Sequence, residues 1–289
     1  MLNRLQLLVS RRLDGLLQGD YLGLLPGPGS EAGESREYFA GDDVRRMDWP
    51  VTARTTVPHV RLTVADRELE TWLAVDLSAS MDFGTARMLK RDLVVAASAA
   101  MIHLTVRGGN RAGAVLSPGD GGLVRRPARG GRLAAQALLK IIATTPSRPG
   151  QAGLGDLIDA LNRPPRRRGL AVVLSDFLPP PAQWTRPLRK LARRHDVLAI
   201  EVVDPRELDL PDVGVLEVVD PESGALHEVQ TADAGLRARY SEAAAAQRAG
   251  IAEAVRESGA HLMRLRTDSD WLVDLVRFVA VQRHRRRRS

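Results

Sequence analysis

The chain has 289 residues, 44% of them hydrophobic and 27% charged, the composition of a globular protein long enough to bury a substantial core. It contains no Cys, which removes disulfides, thiolate metal sites and a cysteine nucleophile, and its 4% of aromatics leaves the core to Leu, Val, Ile and Ala. The net charge of +7 falls to +2 without the five arginines Arg283 and Arg285 to Arg288, so it is no general signal for nucleic acid.

The first residues place Leu2, Leu5, Leu8 and Leu13 among Arg4, Arg11 and Arg12. That stretch is too short and too charged to span a bilayer, and no signal-type cleavage site follows it. With no long apolar run elsewhere, the expectation is a soluble cytoplasmic protein without a transmembrane segment. Residues 20–68 are rich in Gly, Pro and charge, and Leu25-Pro-Gly-Pro-Gly-Ser30 is turn chemistry. Residues 1–68 are therefore expected to form an irregular segment that packs on a main domain.

The main domain is expected over residues 69–283. Trp72-Leu-Ala-Val75 is a short apolar run ending in Asp76, and 88–106 carries apolar residues at helical spacing. Residues 111–117 and 122–126 read as strands joined by Pro118-Gly119-Asp120-Gly121. Helices are expected at 132–143 and 155–162, then the apolar strand Leu170-Ala-Val-Val-Leu174, which ends in Ser175-Asp176. A helix at 183–194, a strand at 196–203 and a second hairpin around Pro221-Glu-Ser-Gly224 come next. The chain closes with a helix at 232–258, a strand at 261–265, a helix at 269–282 and a solvated basic tail, 284–289. Strands alternating with helices, several apolar throughout, predict an open, mostly parallel α/β sheet with helices on both faces.

In such a sheet ligands bind beyond the carboxyl ends of the strands, near the topological switch point. Two buried-looking strands end there in acids, Asp76 and Asp176. Alternate residues of an extended loop point the same way, so Ser78 and Ser80 can face the same point as Asp76. Oxygen donors of this kind suit Mg²⁺, Mn²⁺ or Ca²⁺. The plainer reading is that Asp76 accepts backbone amides while the serines cap the following loop.

Asp76-x-Ser78-x-Ser80 with Asp176 resembles the metal-ion-dependent adhesion site of von Willebrand factor A domains. The upstream run Arg36-Glu-Tyr-Phe-Ala-Gly41-Asp42-Asp43-Val-Arg45-Arg46-Met-Asp48-Trp49, with Arg54 beyond it, resembles the signature of the bacterial domain of unknown function 58 family. The likeness covers about residues 20 to 180, including Ser80-Met-x-Phe-Gly84 and Arg168 to Phe177. It implies a von Willebrand factor A-like fold and a non-enzymatic, protein-binding adaptor working with a MoxR-type AAA+ ATPase or its client. It also implies a Mg²⁺ or Mn²⁺ ion on Asp76, Ser78, Ser80 and Asp176, whose open position accepts a partner's carboxylate. One departure stands out: the middle-loop Thr expected before Leu157-Ile-Asp-Ala160-Leu161 is replaced by Gly155, which has no side-chain oxygen.

Asp42, Asp43, Arg45, Arg46, Asp48 and Arg54, with Trp49 as apolar anchor, are expected to dock the N-terminal segment or to form a partner surface. No Gly-x-Ser-x-Gly, phosphate-loop, Gly-x-Gly-x-x-Gly or His-Glu-x-x-His motif occurs, and the histidines at 59, 103, 195, 227, 261 and 284 are scattered. No enzyme is expected. A rival reading, a binder of nucleic acid or anionic membrane through Arg166 to Arg168 and the terminal arginines, lacks the interleaved aromatics of single-strand binding.

Overall fold

The computed structural model describes residues 35–39, 42–44, 47–61, 69–148, 153–163, 169–219 and 224–286. Its centre is a six-stranded sheet of β3 (Glu70–Asp76), β4 (Arg111–Ser117), β5 (Val124–Arg129), β6 (Leu170–Ser175), β7 (Asp196–Val203) and β10 (His261–Arg266). The strand order is β10-β7-β6-β3-β4-β5, and every pairing is parallel except β4 with β5. The expected mostly parallel sheet is therefore present, with one antiparallel edge strand made by the hairpin after β4.

The inner strands β3, β4, β6 and β7 are largely apolar and buried because both faces are covered. On one face Leu73 and Val75 of β3 and Val172 and Leu174 of β6 meet α2 (Lys90–Arg107), α3 (Arg132–Thr144) and α7 (Trp271–Arg286). On the other, Trp72, Ala74, Ala171 and Val173 meet α4 (Leu154–Asn162), α5 (Pro181–Ala192) and α6 (Ala234–Glu257). Helix α4 presents Leu154, Leu157, Ile158 and Leu161, the i, i+3, i+4, i+7 set of one buried stripe. Helix α2 has no such stripe: nine consecutive residues from Val94 to Ile102 are buried, and its small side chains (Ala96, Ala97, Ser98, Ala99, Ala100) let it lie close beneath the sheet.

Helix α2 follows β3 on one face and α5 follows β6 on the other. Since β3 and β6 are neighbours, their outgoing loops part in opposite directions and open a crevice between Asp76 and Asp176. That crevice is the switch point.

Away from this sheet, β8 (Val215–Val219) and β9 (Leu226–Gln230) form the expected second hairpin. The described N-terminal residues carry only short elements. Among the described ones, β1 (Ser35–Glu37) pairs antiparallel with β2 (His59–Arg61), and helix α1 (Trp49–Thr55) lies between them. Asp48 caps α1 by accepting from the Val51 amide at 3.3 Å, and Pro50 at its start suits a first turn. No described helix is long and apolar enough to cross a membrane.

Candidate functional site

Asp76 ends β3 on the face shared by Trp72 and Ala74, so its carboxylate projects beyond the sheet edge. The chain then turns through Leu77 into a 3₁₀ turn at Ala79–Asp82. Asp76 Oδ1 accepts from the Ser78 amide at 3.1 Å and the Ser78 hydroxyl at 2.7 Å. The Ser78 and Ser80 hydroxyls stand 3.3 Å apart, and Ser80 donates to Asp176 Oδ2 at 2.8 Å. The four expected ligand residues thus meet in one hydrogen-bonded chain joining residues nearly a hundred positions apart. Ser175 donates to the other Asp76 oxygen at 2.7 Å, and the Leu178 amide donates to Asp176 Oδ1 at 3.2 Å. Both readings of the loop are therefore visible at once: the oxygens converge, and hydrogen bonds among themselves and to backbone amides already tie them.

All four side chains are buried, so Asp76 and Asp176 cannot be equal. Burial, then the nearby Asp176 charge, pushes the Asp76 carboxyl up to about 6 against the pull of its serine bonds. Burial opposes charge on Asp176 too, yet the Lys90 ammonium, Ser80 and the Leu178 amide hold it below the usual carboxylate range. Lys90 is the residue that sequence reasoning missed.

Its Nζ lies 2.9 Å from Asp176 Oδ2 and 2.6 Å from Glu207 Oε1, with the Phe83 ring centroid at 5.9 Å. Burial works against its charge, but the two carboxylates keep its pKa above the ordinary value. Behind it, Arg248 donates to Glu201 Oε1 at 3.0 Å and to the Asp176 carbonyl at 3.1 Å, and reaches Glu207 at 3.5 Å. Arg264 donates to the second Glu201 oxygen at 2.7 Å. Two signals for this network lie in the sequence. Lys90 is one of three lysines in an arginine-rich chain and stands at the head of a helix whose middle, Leu93 to Ile102, is apolar but for Ser98; Glu201 is the one acid in β7 past its first residue, Asp196.

The oxygens of Asp76, Ser78, Ser80 and Asp176 have the hardness that Mg²⁺ or Mn²⁺ requires, but two observations argue against a fit. The Asp176 oxygen that receives Ser80 also receives a buried ammonium, placing a resident positive charge beside the ion's position. The middle loop supplies no ligand at Gly155, where an added Cβ would stand 2.4 Å from the Gln183 carbonyl, so that position faces α5 and not the crevice. The donor set of the described residues does not match the adhesion-type ion.

The bonds of Asp42 and Asp48 stay within the N-terminal segment. Asp42 pairs with Arg36 at 2.6 Å and accepts from the Phe39 amide, which lowers its pKa. Asp48 accepts from Ser35 at 2.6 Å besides capping α1. Arg54 is exposed in the last turn of α1, Asp43 is exposed as well, and Arg45 and Arg46 lie outside the described residues. Trp49 stands at the start of α1. Its side chain is 68% exposed, because the first turn of α1 carries it outward.

The family model for Protein of unknown function DUF58 matches residues 34–250. An uncharacterized protein of Mycobacterium bovis is 59% identical over 286 residues, covering 98% of this chain and 89% of that one, and one of Mycobacterium tuberculosis gives the same figures. Among solved structures, an aerotolerance-related membrane protein from Bacteroides fragilis aligns with a TM-score of 0.50 and 15% identity, over 75% of this chain and 99% of that chain. A von Willebrand factor type A structure from Catenulispora acidiphila gives 0.42 and 11%, over 78% and 44%. At such identities the likeness is one of fold. With a family match over most of its length and relatives 59% identical along nearly all of it, the chain belongs to the DUF58 family.

Proposed function

We propose that this chain is a non-catalytic protein-binding module that receives its partner at the carboxyl edge of the sheet, on the loop of residues 82–89. By the family resemblance that partner is a MoxR-type AAA+ ATPase, or a client the ATPase remodels, and the two meet in the cytoplasm. The observation that carries the reading is the position of this loop. It leads out of the Asp76–Ser80 turn and into Lys90, with Phe83 and Leu89 left 39% and 38% exposed beside an exposed Arg87. Apolar side chains ringed by polar ones, held from beneath by a buried network, form a pre-organised contact patch.

The loop is fixed at three points. The Lys90 amide donates to the Phe83 carbonyl at 2.8 Å. The Thr85 amide and hydroxyl both donate to the buried Asp204, at 2.8 and 2.6 Å. The motifs of hydrolase and phosphate chemistry are missing from the sequence, and the network at the crevice is enclosed, which leaves recognition to the rim.

The test is co-purification of the full chain with the MoxR-type ATPase of the same organism, comparing wild type with Phe83→Asp and Arg87→Glu. The proposal expects both variants to fold with unchanged circular dichroism and to lose at least about tenfold in affinity, as truncated interface anchors do. Undiminished capture by both would reject this edge as the binding surface.

A further inference from the structure

We infer that Lys90 is the resident cation of the Asp76–Ser80 turn, and that the turn is held in its binding-ready form without a divalent ion. The fold family implies that an ion joins the two halves of the crevice. Here the joining is done by side chains the chain already carries. Lys90 Nζ bridges Asp176, at the end of β6, to Glu207, beyond β7, with distances of 2.9 and 2.6 Å. Its third side faces the Phe83 ring. Each direction in which an ammonium can donate is therefore accounted for.

Charge balance leads to the same conclusion. Lys90, Arg248 and Arg264 face Asp176, Glu207 and Glu201, three cations against three carboxylates, all linked by contacts of 2.6 to 3.5 Å. A dication entering this cluster would find only Asp76 without a cation of its own, and that carboxyl is already engaged by Ser78 and Ser175. Buried ions persist only when paired, and these are paired already. The oxygen set of Ser78 and Ser80 remains, but as donors to the two aspartates rather than as ligands awaiting a metal.

Lys90 is thus a positioning residue. Its side chain is 1% exposed, so a partner's carboxylate cannot reach it. It acts on the contact loop through Phe83 on one side and through Asp176, Ser80 and Ser78 on the other. Recognition by the exposed rim therefore does not depend on capturing a partner's acid on an ion.

The experiment is thermal melting of the full chain with about 10 mM MgCl₂, about 10 mM MnCl₂ or excess EDTA, alongside Lys90→Gln. A site filled a hundredfold above its dissociation constant would raise the midpoint by on the order of 5–10 °C in a domain of this size. The inference expects wild type to move by less than about 1 °C in any of the three. It expects Lys90→Gln, with Asp176 left without its cation, to melt lower and to regain stability when Mg²⁺ or Mn²⁺ is added. A wild-type midpoint that rises with the ion and no longer does so in Ser80→Ala overturns it. So does a folded Lys90→Gln that ignores both ions, because the oxygens then cannot exchange one cation for the other. If Lys90→Gln does not fold by itself, refolding from urea with and without Mn²⁺ decides: rescue supports the inference and no rescue overturns it. Partner capture is not read in this experiment, so its outcome is independent of the binding proposal.

Discussion

The Nζ of Lys90 lies 2.9 Å from Oδ2 of Asp176, and both side chains are almost wholly enclosed, at 1% and 2% exposure. Removing either partner leaves a buried charge with too few counterions. Lys90→Met and Asp176→Asn should each cost about 3–5 kcal/mol, a large share of the stability of an ordinary domain. The double variant should cost less than the sum, because each change removes the charge that the other strands. Urea denaturation of the four proteins measures the coupling; strict additivity would mean that the pair contributes nothing as a pair.

Asp76 gives stability a pH dependence of unusual sign for a carboxylate. Its folded pKa of about 6 is above the ordinary value, because burial and the Asp176 charge disfavour ionisation. The stability it lends is therefore fully present below its unfolded pKa and lost as pH rises through about 6. Asp76→Asn cannot ionise, so relative to wild type it should be least stable below about pH 4, gain as pH rises through about 6, and level off above that. A difference that is flat with pH would show that Asp76 keeps an ordinary pKa.

Asp204 should do the opposite. Burial works against its charge, but hydrogen bonds from Thr267, from Thr85 through both hydroxyl and amide, and from the Arg206 amide hold its pKa below the usual value. Its contribution is present above the unfolded pKa and disappears as pH falls through the lower folded one. Asp204→Ala should cost about 3 kcal/mol at neutral pH, and progressively less toward pH 3. Faster amide exchange at Thr85 should accompany the loss, since this carboxylate receives two of the three bonds that pin the 82–89 loop.

Putting back the expected hydroxyl tests the middle loop directly. Gly155→Thr sends a Cβ to within 2.4 Å of the Gln183 carbonyl, so α4 and α5 must separate. The expected cost is about 1–3 kcal/mol, typical of overpacking, with no divalent-dependent rise in melting temperature. A variant as stable as wild type that melts higher in Mg²⁺ would contradict the placement of Gly155 against α5.

The fold was legible because period and length separate its elements cleanly. The apolar runs ending in Asp76 and Asp176, and the Leu157–Leu161 stripe, have no reading other than strand, strand and helix. The convergence of Asp76, Ser78, Ser80 and Asp176 was legible as well, since it follows from strand ends meeting at a switch point. Lys90, Glu207 and Arg248 were not, because charged residues far apart in sequence show no periodicity that pairs them. Only the oddity of a rare lysine at the head of a helix with an apolar middle, or a lone glutamate inside β7, hinted at buried partners.

The order of strands has a further consequence for how this protein is made. β3 is among the first strands to leave the ribosome, yet it pairs on one side with β6, which begins at Leu170. A nascent chain that stops after Arg129 can close β3 against β4 and β5 but must leave the other edge of β3 bare, apolar and ready to pair with a stranger. During roughly 40 further residues of synthesis, the same edge that later seals the crevice is this chain's greatest exposure to misassembly.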